Sequence, residues 1–321
     1  MTHDDFLDLL KKVPNPENYA EYERELNEHI KKNNFSLYDA ELADARKDLG
    51  YYYMEINFFS DLFSIARKYI SDLPDIEFIP RRWNDFNVML EKYNGKNIIF
   101  ADELMLMFLN SFSCGAFYMS MKASTIKDRK ALNRMLVSLI DIFACRNKDN
   151  IAQDLLTIFT ENDHSTKFAC FMARAMYSFL LCHEIAHLAL QHSNVSWENE
   201  FDADALGYEI FYSAILNHEN LKHLEFFDSL RRAPLALFDI LDTLEYFKSV
   251  IHDHKGSPLT HPEPSLRKAA LLDQFDFGDN EECFNLYLVI SERAAALKYY
   301  IHKYRDVMKE EIKKIHMSDA T

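Results

Sequence analysis

The sequence predicts a mainly α protein with a small β component, an α+β fold, and three observations predict it. Gly occurs only 6 times and Pro 8 times in 321 residues, so long stretches lack the residues that end helices. Apolar residues make up 48% of the chain, and Leu, Ala, Glu, Lys and Met, all good helix formers, are plentiful among the rest of the composition. One short region, 75–100, reads as strand instead and contains an Asn-Gly pair, the strongest short-range hairpin signal.

Taken in order, residues 1–75 read as acidic amphipathic helices broken at Pro14 and Pro16. An unbroken helical pattern runs from Ser36, an N-cap residue, to about Ser71, before Pro74. The charged faces of this region suit a helical cap or a surface for a protein partner. Asp75–Ile79 reads as a strand that stops at Pro80, and Phe86–Tyr93 and Asn97–Phe100 flank Asn94-Gly95. Asn-Gly supplies the two positive-φ residues of a type I′ turn, which predicts a β-hairpin over 86–100. Two apolar helices are expected between Asp102 and Cys145 and a shorter one over 149–160. Asp163 or Ser165 caps a helix running to about His192, and its segment Phe168–Leu190 is apolar nearly all round, as suits the centre of a core. Further helices are expected over 198–216, 219–251, 262–275 and 281–316, with a Pro-rich loop at 252–264.

Composition narrows the function. The net charge of -15 argues against a broad nucleic-acid surface, because phosphate binding draws on clustered Lys and Arg. The five cysteines are odd in number and form no CxxC pair, so neither a disulfide framework nor a cysteine zinc site is indicated, and a cytoplasmic setting fits. The N-terminus lacks a basic region followed by an apolar one, so no signal peptide is expected. Leu104–Met121 is 18 residues without a charge, at the lower limit for a spanning helix. Asn110, Ser111, Ser113 and Ser120 interrupt the run, so a buried helix is expected there and not a membrane span.

The chemistry centres on His183-Glu184-Ile185-Ala186-His187. Residues four apart lie on one helix face, so both imidazoles reach one zinc ion, while Glu184 projects beside them to act on water without being a ligand. A random chain of this composition shows HExxH about once in 25 sequences, so context has to decide. Two histidines leave zinc short of its usual three protein ligands. Glu200, in Trp197-Glu-Asn-Glu-Phe-Asp-Ala-Asp-Ala-Leu-Gly207, is the candidate third ligand, near enough in sequence for a loop and a returning antiparallel helix. Asp204 lies one turn further on the same face, placed to accept the free N–H of a ligand histidine. The bland alternatives are core histidines and a helix-favouring acidic residue, but two histidines and a Glu on so apolar a helix are costly to bury without a partner.

HEIAH followed by NEFDADALG resembles the Glu-zincins, in particular the M48-type peptidases with their E-x-x-x-D helix. Asn84-Asp-Phe-Asn-Val with Ile98-Ile-Phe-Ala-Asp-Glu-Leu is similar to that family's edge-strand hairpin and following helix. Thr260-His-Pro-Glu-Pro-Ser-Leu-Arg267 is similar to its late H-P-x(4)-R segment. The chain departs from the best-known members in lacking paired transmembrane helices and in its short His–Glu gap, which resembles a soluble branch similar to the Lit-type phage-exclusion peptidases. The helical N-terminal region over 1–75 and the C-terminal helix over 276–321 lie outside this resemblance and are read from the chain's own helical pattern. The resemblance covers about residues 80–110 and 168–275 and implies a zinc metallopeptidase core over 76–275 with a helical insertion at about 103–160. It also implies a site role for His261 beside the reacting carbonyl and for Arg267 as a brace. On its own residues, His261 also reads as the start of a His-Pro turn.

These readings converge on a zinc-dependent peptidase acting on a protein or peptide substrate. Zinc is held by His183, His187 and Glu200, Glu184 is the general base, and His261 assists the oxyanion. The alternative is a zinc-containing binding or regulatory module without turnover, marked by a closed fourth coordination position. His192, five residues after His187, is expected to point away from the site. The identity of the substrate is beyond sequence reasoning.

Overall fold

The computed structural model describes residues 49–81, 87–93, 95–102, most of 105–116, 163–192, 196–217, 227–252, 261–277 and 281–318. The predicted helices before residue 49, most of the insertion, and the loop at 253–260 lie outside the described residues. The remainder is mostly helical with a small three-stranded mixed sheet.

Helix α1 (Leu49–Tyr69) leads into β1 (Ile76–Arg81), β2 (Val88–Tyr93) and β3 (Lys96–Asp102). The predicted hairpin is present, with Gly95 at a φ of 81° in its turn, a conformation open to Gly at no steric cost. Its context differs from the prediction in one respect. β1 pairs parallel to β3, so the order is β1-β3-β2 and the hairpin is two thirds of a mixed sheet. β1 also continues through Pro80 to Arg81 instead of stopping at the proline, which an edge strand tolerates because it has an unpaired side. On the other edge, Asp102 N–H donates to Asn87 C=O at 2.9 Å. In an antiparallel ladder the pairing then alternates, so Met89 and Glu91 turn their main-chain groups to β3 while Val88, Leu90 and Lys92 turn theirs outward.

Helices α2 (Asp163–Ala189) and α3 (Trp197–Asn217) pack antiparallel. Phe179 meets Phe211 edge-on, and further along His183 meets Asp204 and His187 meets Glu200. From Met172 to Ala186, α2 is buried on nearly every side, Arg174 being the exposed exception. This matches its apolar circumference, and Cys182 packs there as a small hydrophobe, its thiol pushed up by burial. The one-turn helix α4 (Phe227–Leu230) precedes α5 (Ala233–His252), which packs on α2 through Phe238 and Phe179. Helix α6 (Pro264–Gln274) crosses from α3 to α5, and α7 (Glu281–Ser318) runs beside α5 in the same direction, as Asp242–Lys298 and Tyr246–His302 contacts record. Among the described residues no helix is long and apolar enough to cross a membrane.

Candidate metal centre

His183 and His187 sit one turn apart on α2 with their Nε2 atoms 3.0 Å from each other. Glu200, in the first turn of α3, places Oε1 3.3 Å from His187 Nε2 and Oε2 3.5 Å from His183 Nε2. The three donors form the one group of this kind among the described residues. Glu200 is almost fully buried, yet its Oε2 has no hydrogen-bond partner of good geometry. Ring nitrogens this close, with a buried carboxylate oxygen left over, fit a shared cation: ligands of a tetrahedral zinc lie about 3.3 Å apart for bonds of about 2.0 Å. Burial alone would raise the Glu200 carboxyl, but His183, His187 and His261 hold it far below its ordinary range.

The far side of His183 is equally built. Asp204 Oδ1 lies 2.9 Å from His183 Nδ1. Arg267 on α6 clamps the same carboxylate in bidentate fashion, Nε donating to Oδ2 at 2.7 Å and Nη2 to Oδ1 at 2.6 Å, while its guanidinium lies over Phe238. Burial would raise the Asp204 pKa, and the Arg267 charge and hydrogen bonds bring it below the ordinary value instead. For His183 burial and Arg267 oppose protonation, but Asp204 and Glu200 outweigh them and raise its pKa to about 9. A positive charge is therefore favoured between these carboxylates, and a metal ion supplies one without a proton.

Glu184 is half-buried and accepts a 2.8 Å hydrogen bond from the outward N–H of Leu90 on β2. Burial pushes its carboxyl above the ordinary range, against the pull of His183, His187 and the Leu90 amide. His261, more than half exposed, holds Nδ1 3.1 Å from Glu200 Oε2. His183, Glu184, His187, Glu200, His261 and Arg267 line one cleft of about 490 Å³, whose walls are β2 (Val88, Met89, Leu90) and α5 (Leu241, Leu244, Glu245). Each predicted site residue thus reaches the same cleft or the group beneath it.

Three features escaped sequence reasoning. His192 does not point away: it lines the cleft, its Nδ1 2.9 Å from His187 Nδ1. The expectation extended the helix of α2 straight on, whereas Gln191 adopts a left-handed φ of 55° and turns the chain back. Gly207, in line with Glu200 and Asp204 at i, i+4 and i+7, lets α3 approach His183 so closely that an added Cβ would lie 3.0 Å from His183 Cα and N. An isolated Gly inside a helical pattern was the available signal. The α5 wall had no local signal.

A family model described as Peptidase U49 matches residues 118–288, more than half of the chain. The chain belongs to the Peptidase U49 family. Membership implies an enzyme that hydrolyses peptide bonds in a protein substrate. The U49 match contains all seven predicted site residues, and part of it, 118–162, lies outside the described residues. No curated protein and no solved structure matches the chain.

Proposed function

We propose that this U49 peptidase is zinc-dependent, with His183, His187 and Glu200 as the protein ligands and Glu184 as general base. The observation that carries this reading is the convergence of two Nε2 atoms and a buried carboxylate, one oxygen of which lacks a hydrogen bond of good geometry, at the floor of a cleft. When bound, zinc supplies Lewis acidity toward water and the scissile carbonyl. Glu184 takes the proton of the attacking water and returns it to the leaving amine, a task suited to a carboxyl raised by burial. The outward main-chain groups of Val88 and Lys92 and the Leu90 C=O pair with an extended substrate as an added strand, while the Leu90 N–H holds Glu184. Asp204, clamped by Arg267, holds the His183 ring in its tautomer, and His261 at the cleft mouth donates to the oxyanion. A non-catalytic zinc module would need a fourth protein donor. The described residues bring three together, with the cleft beside them.

Metal analysis and peptide-library hydrolysis on the same preparations test the reading. The wild type is expected to hold about one zinc per chain. Glu184→Gln should keep that zinc and lose about 100- to 10,000-fold in cleavage rate. Cleavage by Glu184→Gln at the wild-type rate would refute the general base, and a wild type with under about a tenth of an equivalent would refute the metal.

A further inference from the structure

We propose that His192 is a positioning residue for His187: it accepts the outer N–H of that ligand ring, and the left-handed turn at Gln191 exists to bring it there. The proposal rests on the zinc reading above.

Proton counting sets the requirement. A neutral histidine that gives Nε2 to a metal carries its proton on Nδ1, and that N–H needs an acceptor to fix the ring. For His183 the acceptor is the Asp204 carboxylate. His187 uses Nε2 toward His183 and Glu200, and its Nδ1 lies 2.9 Å from His192 Nδ1. His192 then accepts with its Nδ1 lone pair and keeps its own proton on Nε2. The rings stand nearly edge-on, centroids 5.1 Å apart at 70°, which points one ring's in-plane nitrogen at the other.

The backbone carries the second observation. On a continued helix, five residues amount to about 140° of rotation, so His192 could not face the ring of His187. The chain instead closes α2 with a Schellman pattern: Gln191 N–H donates to Leu188 C=O at 3.1 Å and His192 N–H to His187 C=O at 3.0 Å. Gly or Asn usually occupies the left-handed position, and Gln191 is the one non-glycine residue with positive φ among the described residues. A strained residue one position before a cleft-lining histidine fits a turn kept for what it positions.

Zinc affinity of the full chain, measured by competition with a chromophoric chelator, tests this without reference to turnover. His192→Leu should bind zinc about 10- to 100-fold more weakly than wild type. His192→Asn, whose amide oxygen replaces Nδ1 as acceptor, should stay within about 3-fold. Gln191→Gly, free to adopt positive φ, should leave affinity unchanged. Gln191→Val should lose as much as His192→Leu although His192 is intact, and the double variant should lose no more than either. Circular dichroism identifies any variant that fails to fold, and the Gln191 pair decides the matter if His192→Leu does. Wild-type affinity in folded His192→Leu overturns the proposal and leaves the zinc reading standing. Equal weakening of the Leu and Asn variants also overturns it, because shape and not the acceptor would then matter. A wild type that binds no zinc overturns the zinc reading and this proposal together.

Discussion

At Gly207 a single missing methyl sets the distance between two helices. His183 Cα and N lie 3.0 Å, and the Cys182 carbonyl carbon 3.2 Å, from where a Cβ would stand. These are backbone atoms of a deeply buried stretch of α2, so they cannot step aside as a side-chain tip would. Gly207→Ala should gain up to about 1 kcal/mol of helix propensity and lose about 1–3 kcal/mol to overpacking. A net drop in thermal stability is expected, together with weaker zinc uptake, since α3 carries Glu200 and α2 carries both histidines. A variant as stable and as zinc-competent as wild type would show that α3 does not need this approach. The same scale explains why the site residues could be nominated from sequence. His183, His187, Glu200 and Asp204 each announce themselves by residue type and four-residue spacing, which helix geometry converts into a shared face.

Among the elements, strand β2 has the clearest division of labour. Its inward amides hold β3, and its outward ones face Glu184 and the cleft. Replacing Leu90 with proline removes one outward N–H and no ladder bond, so the fold should survive while cleavage falls relative to Leu90→Ala. The expected loss is about 10- to 100-fold in kcat/KM, the worth of a hydrogen bond to a charged group. Met89→Pro, which removes an inward N–H, should instead unfold the hairpin, as thermal melting would report. If both proline variants behave alike, the assignment of faces is mistaken. The hairpin itself was legible because Asn-Gly chemistry is local. Strand β1 was legible from its own residues as well, but its parallel pairing with β3 was not, because pairing between distant segments depends on what the helices leave exposed.

For the whole molecule, the cluster around Asp239 ties the site to the C-terminal helix. Lys268 on α6 donates to both Asp239 oxygens of α5 at 2.7 Å, and Tyr287 and Ser291 of α7 donate to the same carboxylate. Lys268 adjoins Arg267, so the cluster fastens the helix that clamps Asp204. Burial opposes the Lys268 charge, but Asp239 and Tyr287 outweigh it and raise its pKa above 10.5. A folded-state pKa raised in this way means stabilisation that is complete below 10.5 and lost as pH climbs through the folded value. Lys268→Met should therefore cost about 1.5–3 kcal/mol at neutral pH, and the gap to wild type should narrow above pH 10.5 in urea denaturation. A gap that stays constant across that range would assign the cost to packing instead.

The sequence by itself determined the fold class, the hairpin turn, the buried helix and the candidate metal donors, because each is encoded by neighbours within a few residues: periodicity, caps, turn residues and four-residue spacing. Only the tertiary structure decided that His261 and Arg267 reach Glu200 and Asp204, that His192 folds back on His187, and that β2 and α5 wall the cleft. Those outcomes depend on a left-handed turn at Gln191, a close helix approach at Gly207 and the packing of faces far apart in sequence, where burial and not local propensity selects the arrangement.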